Sequence, residues 1–130
     1  MIPKFRAWDK EGNRMILPKY LYSIDLLKEQ VTERTKCNYT FSLHSIPFDK
    51  VELMQSTGLK DKNGKEIFEG DVVKMAKDVS VDTTYYEVVR RRGGAYSLES
   101  KQHGCDLWIR HTNCEIVGNV YENPELLEVE

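Results

Sequence analysis

Residues 53–74 constrain the fold more than any other stretch, because they place three glycines and a turn dipeptide between short apolar segments. Residues 51–55 have the apolar pattern of a short strand. The dipeptide Asn63-Gly64 is a strong β-hairpin signal, since both positions of its turn favour positive φ. A second turn at Gly70 leads into a β-branched strand. The stretch therefore predicts short strands joined by tight turns.

A second hairpin is predicted at the N-terminus. Residues 4–8 and 14–17 alternate apolar and polar side chains, and the turn between them contains Gly12, which we expect to adopt positive φ. The same Asp-Lys-x-Gly pattern recurs at residues 61–64. Because nothing around the two copies repeats, the recurrence predicts two similar hairpin loops and not a duplicated domain.

Residues 20–34 are compatible with either a helix or a strand. Ile24, Leu27 and Val31 have helical spacing, whereas Tyr20 and the apolar residues that follow at every second position suit a strand. The alternation favours a strand that turns near Glu29, although the helix stays open.

The remaining segments also have the pattern of short strands. Tyr39, Phe41 and Leu43 alternate with polar neighbours. The β-rich segments that complete the pattern are residues 83–92, 95–100, 107–110 and 115–121, with Gly93-Gly94 reversing the chain between the first two. Residues 123–127 predict a helical turn with Asn123 as its cap and proline at the first helical position.

This succession of short strands predicts a mainly β fold, with α+β as the open alternative. From Gly70 onward the order of a turn, a strand, a long hairpin and two short strands resembles an SH3-like small barrel. The chain of 130 residues is expected to be a single domain. Its alternative division is into subdomains at residues 1–57, with N-terminal hairpins, and 58–130, with the small barrel.

Composition limits the environment of the protein. The net charge of −2 argues against binding to polyanions through bulk charge. No run approaches the roughly 18 apolar residues of a membrane-spanning helix, so no membrane association is expected. The odd number of cysteines, three, argues against a secreted disulfide framework. The expected location is the cytoplasm.

Residues 53–71 closely resemble the signature of the YopX family, and residues 4–15 and 116–126 resemble its flanking motifs. Ser56 stands where the family often has an aromatic residue. The resemblance implies a small β-rich protein encoded by phages or prophages of Gram-positive bacteria, whose host cytoplasm is then the expected location. It also points to self-association. It implies no catalytic residues, because the family has no established activity.

The one arrangement with metal-like spacing comprises His103, Cys105, His111 and Cys114. Zinc sites use four nitrogen or sulfur ligands, and these four residues lie close together in the sequence. The spacing matches no standard zinc motif, however. Small buried cysteines and solvated histidines explain the same residues, and the sequence favours that explanation.

The sharpest basic feature is the run Arg90, Arg91 and Arg92, placed before the glycine turn and near tyrosines. Such a hairpin tip could contact phosphates while a tyrosine stacks on a base. Alternation along a strand allows at most two of these arginines to face the same way. A charged hairpin end that keeps a sheet edge from aggregating is the favoured explanation.

No phosphate-binding loop or catalytic triad pattern is present in the sequence. We therefore expect a protein without cofactor or enzymatic activity, which self-associates and acts as an interaction or structural protein. Its further partner would be an unidentified phage or host macromolecule. The alternative is a nucleic-acid-associated accessory protein that uses the arginine hairpin.

Overall fold

The structure, a computed structural model, describes residues 3–75, 84–91, 93–100 and 104–128. It is mainly β, as the sequence predicts. The chain divides into two compact units, Met1–Gln55 (unit 1) and Ser56–Glu130 (unit 2). The elements of the described residues are β1 (Phe5–Asp9), β2 (Arg14–Ile16), β3 (Leu21–Asp25), β4 (Gln30–Cys37), β5 (Thr40–Pro47), β6 (Val51–Lys60), β7 (Glu66–Phe68), β8 (Asp71–Met75), β9 (Thr84–Arg90), β10 (Tyr96–Glu99), β11 (Gly104–Asp106), α1 (Leu107–Arg110) and β12 (Cys114–Asn119).

The predicted N-terminal hairpin is confirmed in unit 1, where β1 pairs antiparallel with β2 and with residues 51–55 of β6. The expected positive φ at Gly12 is wrong, because Asn13 takes that conformation with φ of 52°. Gly12 is needed for space instead. Its backbone N–H donates to the Asp9 carboxylate, and a Cβ atom there would collide with the same carboxylate.

Residues 20–34 form strands and not a helix. β3 and β4 pair antiparallel, and β5 pairs with the other side of β4 to give the order β3-β4-β5. The turn between β3 and β4 uses Glu29 with φ of 54°, and the Asp25 carboxylate accepts backbone hydrogen bonds from Leu27 and Lys28. Leu27 is 94% exposed, so its helical spacing from Ile24 and Val31 does not mark a buried helix face.

The core of unit 1 is apolar, and one ion pair lies beside it. Its buried residues are Ala7, Ile16, Val31, Ile46 and Val51. Arg14 makes a bidentate contact with Glu33, with nitrogen–oxygen distances of 2.6 and 2.5 Å. That hydrogen bonding outweighs burial and lowers the pKa of Glu33. Because Arg14 pairs with it, the Glu33 carboxylate can be buried in β4.

Unit 2 contains a five-stranded antiparallel sheet with the order β11-β10-β9-β8-β12. Strands β8 to β11 follow each other as a meander, and β12 returns to pair with β8. This is the strand order of an SH3-like small barrel and agrees with the prediction for the C-terminal half. Its core consists of Ile67, Val73, Tyr86, Val88, Leu98, Leu107 and Cys114.

The predicted strand at residues 107–110 is wrong. The segment is the short helix α1, followed by a 3-10 turn at His111–Asn113. Leu107 is completely buried in the core of unit 2, whereas Trp108 is 70% exposed. A helical turn places Leu107 inside and at the same time returns the chain to β12 within a few residues, which an extended strand could not do.

Asp61 organises the loop between β6 and β7 in unit 2. The hairpin predicted at Asn63-Gly64 is confirmed, because β6 and β7 pair antiparallel, but of the two residues only Gly64 has positive φ, at 81°. One oxygen of the Asp61 carboxylate accepts hydrogen bonds from the N–H groups of Asn63 and Lys65, both at 2.9 Å. The backbone N–H of Asp61 donates to the carbonyl oxygen of Lys65. The side chain thus reinforces a backbone turn in which the Gly64 N–H donates to the Asp61 carbonyl oxygen at 3.0 Å.

The other carboxylate oxygen of Asp61 connects this loop to β12. It accepts the backbone N–H of Ile116 at 3.0 Å, and the neighbouring Lys62 N–H donates to the carbonyl of Cys114 at 2.9 Å. Burial by itself would raise the pKa of Asp61, but the backbone donors Ile116, Lys65 and Asn63 outweigh burial and lower it. The ionised carboxylate is therefore the form that stabilises the fold.

Replacement of Asp61 by alanine should destabilise the protein by about 1–3 kcal/mol, because buried backbone donors lose their acceptor. The effect should depend on pH. A carboxyl whose pKa is lowered by folding stabilises the protein above its unfolded pKa of about 4, and that contribution disappears as pH falls through the folded pKa. Urea unfolding at pH 7 and pH 3 measures the difference between wild type and variant.

Asp49→Ala is the matched control, because Asp49 is exposed and its side chain carries no comparable bonds. Amide hydrogen exchange at Asn63, Lys65 and Ile116 should accelerate in Asp61→Ala and stay unchanged in Asp49→Ala. Equal destabilisation by the two variants at pH 7 would contradict the assigned role of Asp61.

The predicted helical turn after β12 is confirmed as a 3-10 turn at Pro124–Leu127. Asn123 does not cap it through its side chain. The side-chain oxygen instead accepts the backbone N–H of Asn119 at 3.3 Å and lies against Gly118. A Cβ atom at Gly118 would overlap the Asn123 side chain, so this close approach requires glycine.

Gly118→Ala should therefore destabilise the protein by about 1–3 kcal/mol through overpacking. Adding Asn123→Ala should recover part of that loss, because most of the overlapping atoms are then removed. Thermal unfolding of the two single variants and the double variant measures the coupling. If the losses of stability in the two single variants simply add in the double variant, the contact between residues 118 and 123 does not explain why residue 118 is glycine.

Candidate functional site

Three of the four metal candidates lie in the described residues of unit 2, and His103 lies outside them. Cys105 is on β11, His111 is in the 3-10 turn and Cys114 begins β12. His111 donates through Nδ1 to the carbonyl of Lys60 at 2.7 Å. The Cys114 thiol donates to the carbonyl of His111 at 3.2 Å. These contacts give His111 and Cys114 structural roles at the junction of the β6–β7 loop with β12.

Burial keeps the described thiols of this cluster protonated. It raises the pKa of Cys114 to about 11 and also raises the pKa of Cys105. A metal ligand or a nucleophile must be a thiolate. Within the described ranges, no group of three or more histidine, cysteine, aspartate or glutamate residues could hold a metal ion. The four-residue zinc site, which the sequence already disfavours, stays untested because it includes His103.

The different environments of the cysteines predict different reactivities. At pH 7.5, Cys37, which is exposed, should react with a maleimide or an aromatic disulfide within minutes. Cys114 should react only after denaturation, because it is buried and its raised pKa leaves about a hundredfold less thiolate than an ordinary thiol has. Peptide mass spectrometry after timed labelling gives both rates. Similar native rates for the two residues would contradict the assignment.

The arginine hairpin forms at the end of β9, and its glycine reversal is confirmed by φ values of 92° and 91° at Gly93 and Gly94. Arg90 is exposed. Arg91 contacts the Glu99 carboxylate at 2.6 Å and donates to the Ser97 hydroxyl at 3.0 Å. Arg92 lies outside the described residues. The charge of Arg91 is thus engaged by an acidic neighbour, which reduces its availability to a phosphate.

Two of the open surface grooves lie on described residues of unit 1. The larger, of about 490 Å³, is lined by Asp9, Glu11, His44, Lys50 and their neighbours. Lys50 contacts Glu11 at 2.7 Å, and hydrogen bonding to this carboxylate raises the pKa of the lysine. The smaller, of about 280 Å³, lies beside Pro18 and Tyr22. The ion pair between Lys50 and Glu11 in the larger groove is typical of a solvated surface.

The feature that stands out most is the far end of the β4–β5 hairpin, residues 34–45, which we call the ribbon. Every residue of the ribbon is exposed. Tyr39 at its tip is fully exposed, and Phe41 and Leu43 are 56% and 57% exposed. The Arg34 guanidinium lies 4.0 Å from the centre of the Phe41 ring. Large apolar side chains therefore lie on a hairpin that no core residue covers within the described ranges.

Sequence reasoning identified the alternation of Tyr39, Phe41 and Leu43 but not their exposure. An alternating strand ordinarily buries its apolar face, and nothing local distinguishes one that does not. The available signal was the absence of acidic residues from 34 to 48, together with the length of the hairpin.

No helix in the described residues has the length and apolar character that crossing a membrane demands.

Two solved structures resemble this chain over nearly its whole length. Protein EF1440 from Enterococcus faecalis is 29% identical, with a TM-score of 0.65, and the match covers 98% of this chain and 99% of that one. Protein YopX from Bacillus subtilis is 27% identical, with a TM-score of 0.67, and the match covers 98% and 97%.

A curated relative is the SPbeta prophage-derived uncharacterized protein YopX of Bacillus subtilis strain 168. It is 30% identical over 71 residues, which cover 50% of this chain and 52% of the relative. This alignment thus spans about half the length of the relative. The sequence profile of the YopX protein family matches residues 4–128, almost the entire chain. This chain therefore belongs to the YopX protein family.

Proposed function

We propose that this chain is a phage- or prophage-encoded protein of the bacterial host cytoplasm, without enzymatic activity, that self-associates and acts as an interaction or structural protein. The exposed apolar ribbon is the observation that carries this proposal. The prophage origin of the curated relative supports the genetic context. The further partner in the host cell would be a phage or host macromolecule.

The free energy of self-association would come from covering Tyr39, Phe41 and Leu43. Full burial of a large apolar side chain contributes about 1.5–3 kcal/mol, so covering the exposed half of Phe41 or Leu43 contributes about 1 kcal/mol each. Tyr39 adds a large, rigid aromatic surface with a polar end, a combination that is enriched in protein interfaces. A contact between copies of the ribbon would recover this free energy in every copy.

The absence of catalysis is supported by the roles of two groups whose pKa values are shifted. The Asp61 carboxylate is held by backbone donors, and the Cys114 thiol is held in its protonated form. Neither has the exposed, reactive state of a general base or a nucleophile. The alternative function, nucleic-acid binding by Arg90, Arg91 and Arg92, has less support, because Arg91 pairs with Glu99.

Light scattering coupled to size-exclusion chromatography tests the proposal. The wild-type protein should show a mass above that of one chain, 15.2 kDa, at micromolar concentration. The double variant Phe41→Ser with Leu43→Ser should raise the dissociation constant at least about tenfold, which corresponds to about 1.4 kcal/mol. Because both residues are exposed and outside the core, the variant should keep the circular dichroism spectrum of the wild type.

Trp108→Ser is the matched control, because it removes an exposed aromatic residue from unit 2. It should leave the mass unchanged. A wild-type protein that elutes as a single chain at hundreds of micromolar would refute self-association. If Trp108→Ser dissociates the oligomer and the ribbon variant does not, the interface lies on unit 2, and its proposed location on the ribbon is wrong.

A further inference from the structure

The outer edge of β5 is the longest regular sheet edge among the described strands. β5 pairs with β4 in continuous register over its whole length. The other edge strands are protected: β2, β7 and β11 have three residues each, and β3 and β12 contain shifts of register. Short length, bulges and charged side chains are the usual defences of an edge against pairing. β5 has none of these, since its sequence Thr-Phe-Ser-Leu-His-Ser-Ile-Pro contains no lysine, arginine or acidic residue.

No third strand pairs with the ribbon among the residues that the structure describes. β3 pairs with β4 only as far as Glu33, so residues 34–45 form an isolated two-stranded segment. Two strands alone are marginally stable in water. On the free side of β4, Arg34 and Lys36 supply the charges that discourage strand pairing. A third strand is therefore accepted most readily on the β5 side.

The hydrogen-bonding groups on that side can be assigned from the turn. Asn38 and Tyr39 form a two-residue turn closed by the pair Cys37 and Thr40, which makes this pair hydrogen-bonded across the hairpin. Bonded and non-bonded pairs then alternate along the hairpin. The backbone N–H and C=O groups of Phe41 and Leu43 consequently point away from β4, toward the free edge.

We propose that this edge pairs antiparallel with β5 of a second copy of the chain, about a two-fold axis that passes beside Ser42. The inference rests on the proposed self-association and names its geometry. A two-fold axis perpendicular to the sheet makes the same strand self-complementary. With the axis at Ser42, Phe41 lies opposite the partner's Leu43 and Leu43 opposite the partner's Phe41. Both pairs exchange backbone hydrogen bonds and lie on one face.

Neighbouring registers satisfy fewer constraints. Moving the axis to Leu43 places Phe41 opposite the partner's Ser45 and brings Ile46, which is already buried in unit 1, into the pairing. Moving it to Phe41 brings the turn residue Tyr39 into the pairing and shortens the paired strand. The register centred on Ser42 uses residues 40–44 of each copy, all exposed, and opposes one apolar side chain to another. The sheet β3-β4-β5 of one copy then continues into that of its partner.

Disulfide trapping tests this register. Ser42 would face the partner's Ser42 as a non-hydrogen-bonded pair, with a Cα–Cα distance of about 4.5 Å, which is within the range of a disulfide. Ser42→Cys in a background with Cys37→Ser and Cys105→Ser should therefore form a covalent dimer under a mild aromatic disulfide oxidant. Non-reducing electrophoresis should show most of the protein at twice the mass of one chain.

Thr40→Cys and His44→Cys are the matched controls, since both are exposed on the same face of the same strand. Each lies about 14 Å along the strand from its own counterpart in the partner, given about 3.4 Å per residue, so neither should cross-link alone. A mixture of the two variants should cross-link, because Thr40 is expected opposite the partner's His44. That mixed product identifies the antiparallel register.

The outcomes separate this inference from the proposed function. A monomeric wild-type protein would overturn both. A wild-type oligomer in which Ser42→Cys fails to cross-link, or in which Thr40→Cys cross-links by itself, would overturn the register and leave self-association standing. Efficient trapping of Ser42→Cys together with the mixed product, and with neither control alone, supports the inference.

Discussion

The carboxylate of Asp61 is the interaction on which the structure of unit 2 depends most. One oxygen shapes the β6–β7 loop, and the other fixes that loop to β12 through Ile116. β12 is the strand that returns to β8 and completes the five-stranded sheet. A single side chain thus joins a local turn to the order of the barrel. It also places Lys60 and Lys62 where their backbones contact His111 and Cys114, so these potential ligands serve the fold.

The hairpin loops show what a sequence reveals about such a residue. The repeated Asp-Lys-x-Gly pattern correctly predicted loops at Asp9 and Asp61, because an aspartate that accepts nearby N–H groups is a local property. The pattern could not predict the bond from Asp61 to Ile116, which lies 55 residues away. It also misassigned Gly12, whose role comes from the position of the Asp9 side chain and not from φ.

Periodicity predicted most of the fold and failed where tertiary packing took precedence. The alternation between Tyr20 and Arg34 outweighed the helical spacing correctly, and the strand order after Gly70 followed the small-barrel pattern. The helix α1 was missed, because Leu107 must enter the core while the chain reverses. The candidate sites were less predictable still. The pairing of Arg91 with Glu99 and the burial of Cys114 depend on neighbours that the sequence places far away or leaves ambiguous.

The ribbon differs from its sequence-based prediction in another way. Its alternating pattern is that of an ordinary strand, but its apolar side chains are exposed. Thr40 to Ile46 would suit an interior strand, yet among the described residues β5 has one neighbouring strand, and Phe41 and Leu43 stay exposed. The remainder of unit 1 does not need these side chains, because its core is complete with residues such as Val31 and Ile46. A hairpin that extends beyond its own core gains stability only from something outside the unit. Because its edge is regular and uncharged, the partner that we propose is a second strand, and β5 of another copy has the required length, register and side chains.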